Sequence, residues 1–276
     1  MAYRDIILKR ENHTATLIMN RPERLNPVSD AMTDELAAAI AEVDRDEEAR
    51  VLILTGAGRA FSSGADFRYR QVSSGELTAE TAEDFRPTLE GISRGHVLPT
   101  LAEGVLMALQ RLGKPTIAMV NGDAVGLGLA LACACDIRIG CPRARFGAGY
   151  PRIGLPVFSG VPWLLPRIIG LGHSLELIYT GDLYSAEEAY RMGLLNRLVP
   201  EESLEAETLA FASRLARGAP IGLRLSKMEV YHSLETALEP SLALGYLCAA
   251  VGIGSEDHKE GIRAFAEKRA PVFKGK

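Results

Sequence analysis

The sequence predicts an α/β fold in which parallel strands are joined by crossover helices. Three observations carry that expectation. Short apolar runs that end in turn residues recur through the first half of the chain, and stretches of helical period separate them. Beyond about Pro200 strand signals stop, while amphipathic helical patterns continue to the last residue.

Ala15–Met19, Val51–Leu54 and Thr116–Val120 are apolar runs closed by turn residues, and Asp136–Ile139 alternates. All four read as strands. Ser29 is placed to cap a helix that carries Met32, Leu36, Ile40 and Val43 on one face, with acids and arginine on the other. A second helix should start near Pro99, align Leu101, Val105 and Leu109, and stop at Gly113 and Pro115. Ser185 and Glu188 fit a capping box. A soft boundary near Pro200 divides a core, residues 1–199, from a helical region, residues 200–276. No internal repeat or low-complexity tract interrupts either part.

Composition narrows the function. Hydrophobic residues make up 47% and charged residues 24% of the 276, as in ordinary globular proteins. The formal net charge is −4, and no basic stripe of the kind a nucleic-acid binder presents is found. Cys133, Cys135, Cys141 and Cys248 lack metal-ligand spacing, so reduced thiols and no metal are expected. The N-terminal MAYRDIILKREN is not a signal peptide, and no apolar run reaches membrane-spanning length. A cytoplasmic protein without a membrane partner is the expectation.

Two segments carry chemistry. Val51–Phe67 (VLILTGAGRAFSSGADF) delivers a buried strand into turns of small residues, where a ligand can approach backbone N–H groups. A dinucleotide fingerprint is the rival reading, but Phe61 stands where its third glycine would be. Asn121–Asp136 (NGDAVGLGLALACACD) ends a strand, turns through glycines and opens a helix near Gly128. Its N-terminus offers unpaired N–H groups and the positive end of a dipole. Two ordinary loop turns and a closely packed small-residue helix would explain each segment separately.

Taken together, the motifs resemble the crotonase superfamily, the enoyl-CoA hydratase/isomerase family. The resemblance rests on Asn20-Arg21-Pro22 with Leu25-Asn26, then on Phe61 to Phe67 and on Lys114-Pro115 with Asn121 to Asp136. It continues through Phe146-Gly147 and Gly154, and ends in Ala264-Phe265, Glu267-Lys268-Arg269 and Pro271-Val272-Phe273. It implies a spiral of ββα turns and a C-terminal helical region that assembles trimers or dimers of trimers. It implies an acyl-coenzyme A substrate, with coenzyme A as part of that substrate and no covalently bound cofactor. The backbone N–H groups of Ala65 and Leu127 would form an oxyanion hole. Arg24, Asp66 and Phe67 would lie along the coenzyme A, and Phe265 and Lys268, from a neighbouring subunit, near its adenine and phosphate end. A solvated helix charge is the alternative reading of Lys268.

By the same resemblance, the two glutamates of hydratases would fall at Ala130 and Tyr150, and an alternative acid at Phe158. Neither Ala130 nor Tyr150 is a carboxylate. Three residues are left as acid/base candidates: Tyr150, His96 and Asp123. Against these stand an aromatic pocket wall, a surface loop histidine and a turn cap. Phe158 and Trp163 are candidates to line an acyl cavity, and Arg68, Tyr69, Arg70 and Arg86 to meet phosphates or an acidic acyl tail. A non-catalytic acyl-CoA binder is the alternative function.

Overall fold

The computed structural model describes residues 3–66 and 101–276. It opens on a hairpin of β1 (Ile6–Glu11) and β2 (Thr14–Met19), paired antiparallel. The two residues between them, Asn12 and His13, have positive φ (49° and 62°), which matches the twist of tight hairpins. The sequence reading marks β2 and leaves β1 out. β1 is an edge strand in which only Ile6 is fully buried, so its apolar signal is weak.

Four more strands extend the sheet in parallel from β2. They are β3 (Val51–Gly56), β4 (Thr116–Val120), β6 (Ile137–Gly140) and β9 (Arg197–Leu198). The order is β1-β2-β3-β4-β6-β9. A second sheet holds β5 (Ala124–Val125), β7 (Arg145–Gly147) and β8 (Tyr184–Ser185), in the order β5-β7-β8. Twice among the described residues the chain deposits one strand in the large sheet and then one in the small sheet before a helix, in β4 with β5 and in β6 with β7. This is the expected ββα spiral. The strands of the small sheet, at two or three residues, are too short to show a period in the sequence.

Both faces of the large sheet are covered, which is why β3 reads as one continuous apolar run. On one face α1 (Asp30–Arg45) buries Met32, Leu36, Ile40 and Val43 in a cluster with Leu52 and Leu54. The Ser29 hydroxyl accepts the Met32 N–H at 3.2 Å, the expected N-cap. α2 (Leu101–Arg111) adds Val105 and Leu109 to that cluster and ends before Gly113. The position of Pro99, where the sequence starts this helix, lies outside the described residues. α3 (Leu127–Ala134) is buried on every side. α4 (Val161–Thr180) bends at Gly170 (φ 77°) and has no clear apolar stripe, so the sequence reading passes over it. α5 (Ala186–Arg191) starts with the expected capping box: Ser185 Oγ accepts the Glu188 N–H and the Glu188 carboxylate accepts the Ser185 N–H. On the opposite face, α6 (Leu204–Ala216) packs Leu204, Ala212 and Ala216 on Val51, Ile53, Ile117 and Ile139.

Three more helices follow: α7 (Pro220–Ser233), α8 (Leu238–Ile253) and α9 (Glu256–Ala266). α7 is fastened to the core by a polar knot around Asp136. That carboxylate accepts from the Lys227 ammonium at 2.9 Å, the Tyr231 hydroxyl at 2.9 Å and the Thr116 N–H at 2.7 Å. Lys227 also donates to the carbonyls of Leu109 and Lys114. Burial, reinforced by the neighbouring Asp136 charge, pushes the Tyr231 phenol well above its ordinary pKa, so it stays a donor. α8 instead exposes Leu238, Leu242, Tyr246, Leu247, Val251 and Ile253.

All four cysteines are free and buried. Burial pushes the Cys133 thiol up to about 11 and that of Cys135 to about 12, so both behave as small apolar groups. Among the described residues no single helix is long and apolar enough to cross a membrane.

Replacing Asp136 by Ala leaves the Lys227 ammonium in a largely buried site without its counter-charge. Asp136→Ala should therefore lose about 3 kcal/mol of stability in urea unfolding. A loss below about 1 kcal/mol would mean that the knot is a solvated surface pair.

Candidate active site

β3 ends at Gly56, and the chain from Ala57 to Asp66 has no regular strand partner. Two asparagine side chains do the work of a strand. Asn26 is fully buried with φ 53°, and its Nδ2 donates to the carbonyls of Ala57 and Ala60, both at 2.8 Å. Its Oδ1 accepts the Arg21 N–H, and its backbone oxygen accepts the Ser62 hydroxyl. From the other side Asn121 Nδ2 donates to the carbonyls of Gly56 and Gly58, at 2.8 and 2.9 Å.

The loop so held meets the turn before α3. The Ser62 N–H donates to the Asp123 carbonyl at 2.9 Å, and the Val125 N–H donates to the Ser62 carbonyl at 3.0 Å. Val28 pairs with Ala65 through flanking groups: the Val28 N–H donates to Gly64 and the Asp66 N–H to Val28. That pairing turns the N–H of Ala65 the other way. Gly64 has φ 102°, and a Cβ there would lie 2.8 Å from the Val125 oxygen and 3.6 Å from the Leu127 nitrogen. Such a Cβ is three bonds from the Ala65 nitrogen, so the nitrogens of Ala65 and Leu127 lie within about 7 Å of each other. Among the described residues neither N–H has an acceptor. Leu127 opens α3, where the helix dipole adds partial positive charge. Two donors that converge on one oxygen can hold it as it gains negative charge, and this pair is a candidate for that role.

Tyr150 begins a short 3-10 turn, Tyr150–Ile153, and is 4% exposed. Its ring packs on Phe158 with centroids 4.7 Å apart at 51°. A Cβ at Gly126 would lie 3.7 Å from the Tyr150 oxygen, so the phenol sits beside the turn that presents the Leu127 N–H. Burial raises the phenol pKa, and the neighbouring Ser159 hydroxyl opposes the rise without cancelling it. Ala130 lies one turn into α3, fully buried, and donates its N–H to Gly126.

The other sequence candidates fall elsewhere. The Asp123 carboxylate is held bidentately by Arg145 at 2.7 and 2.8 Å, in a cleft lined by Leu25, Arg59 and Arg143 and not by Tyr150 or Leu127. That pairing weighs against its use as a base. Arg24 and Arg21 both bind the Asp66 carboxylate, at 2.9 and 2.8 Å. Asp66 thus has a side-chain role beyond the backbone role expected of it, orienting Arg24 at the mouth of the loop. Phe265 is 88% exposed near the end of α9. Lys268 (φ 55°) takes the left-handed position that closes this helix, with the Arg269 N–H donating to Ala264. Trp163 stacks under the Arg167 guanidinium at 4.0 Å and lines a groove of about 770 Å³ with Met107 and Met228. Phe67, Arg68, Tyr69, Arg70, Arg86 and His96 lie outside the described residues. Among the described residues no cluster of His, Cys, Asp and Glu is placed to hold a metal.

Residues 9–276 match the family model described as enoyl-CoA hydratase/isomerase. The chain belongs to the enoyl-CoA hydratase/isomerase family. A crotonyl-CoA hydratase of Syntrophomonas wolfei is 34% identical over 277 residues, covering 99% of each chain. A 1,2-epoxyphenylacetyl-CoA isomerase of Escherichia coli is 35% identical over 266 residues, covering 96% of this chain and 97% of its own. The crystal structure of an enoyl-CoA hydratase from Bacillus anthracis superposes with a TM-score of 0.88 at 31% identity, covering 99% of this chain and 100% of that one. The crotonase fold, and an enzyme family that acts on acyl-CoA thioesters, follow from these matches.

Within this enoyl-CoA hydratase/isomerase chain, Asn26 and Asn121 stand inside motifs that the sequence marks, yet their clamping role was not readable there. The pairing of Arg21 with Asp66 was likewise not readable from its motif. A buried asparagine at positive φ is a signal that emerges only with the backbone. Asn26→Ala should leave the Ala57 and Ala60 carbonyls without donors and lower stability by about 3 kcal/mol. Equilibrium denaturation measures it, and a change below about 1 kcal/mol would show that water replaces the amide.

Proposed function

We propose that this chain binds an acyl-CoA thioester and stabilises the enolate, or a related oxyanion, through the N–H groups of Ala65 and Leu127. The observation that carries this reading is the convergence of the Ser62–Asp66 loop and the α3 N-terminus. Both N–H groups lack acceptors among the described residues, and Gly64 leaves the space a side chain would close. One such donor contributes roughly 3–4 kcal/mol to lowering a barrier. Arg24, oriented by Asp66, and the backbone of Asp66 and Phe67 would follow the coenzyme A. Exposed Phe265 and Lys268 would reach the nucleotide end bound to a second subunit. The apolar face of α8 supports a C-terminal region, residues 200–276, that assembles homotrimers or dimers of trimers. A cytoplasmic setting fits this reading.

The reaction is narrower than the family name suggests. Two relatives carry different names, a hydratase and an isomerase, so membership points to the thioester and leaves the chemistry on it open. Ala130 offers no group that moves protons, and the phenol of Tyr150 is held protonated by burial. Hydration by a pair of carboxylates is therefore not the reaction we propose. His96 and Asp123 stay candidate bases, the latter weakened by its pairing with Arg145. The buried alanine at position 130 also favours a second reading, an acyl-CoA binder that does no chemistry.

A panel of enoyl-, dienoyl- and β-ketoacyl-CoAs, followed by mass spectrometry, separates the two. Tight binding with no turnover across the panel identifies the binder. Crotonyl-CoA should be hydrated roughly a hundredfold or more slowly than by a two-carboxylate hydratase. Rapid hydration would overturn the assignment of Ala130 and Tyr150 to the acid/base positions.

Gly64→Ala tests the hole itself. The added methyl must push the Val125 carbonyl away and spread the two donors. Calorimetric titration with an acyl-CoA should show at least about tenfold weaker binding, the scale of one charge-assisted hydrogen bond. Unchanged affinity in a folded variant would remove the oxyanion hole from the proposal.

A further inference from the structure

α9 is tied to the rest of the chain by a returning segment more than by packing. Among the described residues it buries only Asp257 and Ala264, and it leaves Ile262 and Phe265 60% and 88% exposed. Resting on the reading of Phe265 and Lys268 as contacts for the nucleotide end of coenzyme A, we propose that residues 269–276 form a strap that fixes α9 in place. Asp257, Glu260 and Arg50 are the positioning residues that pin it.

The strap starts directly after Lys268, whose left-handed backbone turns the chain back along the helix it has just left. Two nitrogens of the Arg269 guanidinium donate to the Glu260 carboxylate, at 2.6 and 3.0 Å, and the Val272 N–H donates to the same group at 3.0 Å. That pairing with Arg269 draws the Glu260 carboxyl down to about 2, so the pin is ionised at neutral pH. One turn earlier in α9, the buried Asp257 carboxylate accepts the N–H groups of Lys274 and Gly275 at 2.7 and 2.9 Å. The Lys276 carbonyl accepts in turn from the Glu256 and Asp257 N–H groups, at 2.7 and 3.2 Å. Asp257 and Glu260 are three residues apart and share a face of the helix, so the two carboxylates receive the strap in order as it runs back.

The strap also meets the core. Arg50, just before β3, donates to the Phe273 carbonyl at 2.9 Å and to the carbonyl of Ala216, the last residue of α6, at 3.1 Å. The Phe273 ring lies on α9 at Gly261, where a Cβ would stand 3.6 Å from its Cε1. A Cβ at Gly275 would stand 3.4 Å from Pro220, at the start of α7. One segment thus joins the carboxylates of α9 to Arg50, α6 and α7. The helix does not need the strap in order to form, because the Ser255 hydroxyl caps it by accepting the His258 N–H at 3.1 Å. What the strap supplies is placement, and with it a fixed position for Phe265 and Lys268. A contact group held in place beforehand loses less freedom when a ligand arrives.

Two thioesters of one acyl group separate this role from general stability. Butyryl-CoA carries the nucleotide end, and butyryl-pantetheine lacks it. On the full chain, calorimetric titration should show Asp257→Ala and Arg50→Met each binding butyryl-CoA about tenfold more weakly, with the affinity for butyryl-pantetheine unchanged. Asp257→Asn, whose amide oxygen still accepts one of the two N–H groups, should lose less. In both Asp257→Ala and Arg50→Met, amide hydrogen exchange over residues 258–266 should speed up about tenfold and stay at the wild-type rate in α1 and β2.

Unmoved butyryl-CoA affinity or unmoved exchange in α9 of the folded variants would overturn the proposal. An equal loss with both thioesters would overturn it too, because that marks a general loss of structure. If Asp257→Ala and Arg50→Met do not fold, Gly261→Leu decides: its side chain displaces the Phe273 ring and leaves every pin in place, and unmoved butyryl-CoA affinity there overturns the strap equally. Wild-type affinity for butyryl-CoA in a chain carrying both Phe265→Ala and Lys268→Ala would sink the nucleotide reading of those residues, and the strap's part in it, while the oxyanion hole stands.

Discussion

The candidate site depends on two side-chain amides, one of them fully buried. A loop that does not pair as a strand still needs donors for its carbonyls. Asn26 and Asn121 supply them from opposite sides, to Ala57 and Ala60 and to Gly56 and Gly58. The loop is thereby fixed without using the N–H groups of Ala65 and Leu127. Asparagine suits the task because one amide donates two hydrogen bonds and its carbonyl still accepts another.

From that clamp the electrostatics follow. α3 is buried on every side, so the partial charge at its start is poorly screened by water. Its first nitrogen lies 3.6 Å from where a Cβ at Gly64 would stand. Tyr150 closes the same corner with a neutral phenol, and Ala130 contributes only volume. The arrangement is rich in donors and poor in bases among the described residues, which is why stabilisation of an anion is the proposed chemistry and water addition by paired carboxylates is not.

The C-terminal helices show a division of labour. α6 belongs to the packing of the sheet, α7 is tied down by Asp136, Lys227 and Tyr231, and α8 leaves an apolar face uncovered. An interior that is satisfied at α6 and α7 and unsatisfied at α8 fits a helix that meets another subunit. Such an assembly would also bring Phe265 and Lys268 of one chain towards the site of another, the role the resemblance implies for them.

Periodicity alone determined much of this protein. The runs at β2, β3 and β4, the capped face of α1 and the box at Ser185 are local patterns, set by burial on one face and by the first turn of a helix. Motif order added the family, and with it the proposal of Ala65 and Leu127 as donors. Tertiary structure decided the rest. β1 and the two- and three-residue strands of the small sheet exist only because a neighbour is present to pair with. Asp123 looked free as a turn residue until Arg145 came beside it from 22 positions further along. Ser159 carried no sign of its place next to Tyr150. Contacts between distant segments depend on how the whole chain packs, and a linear pattern records only what each segment needs for itself.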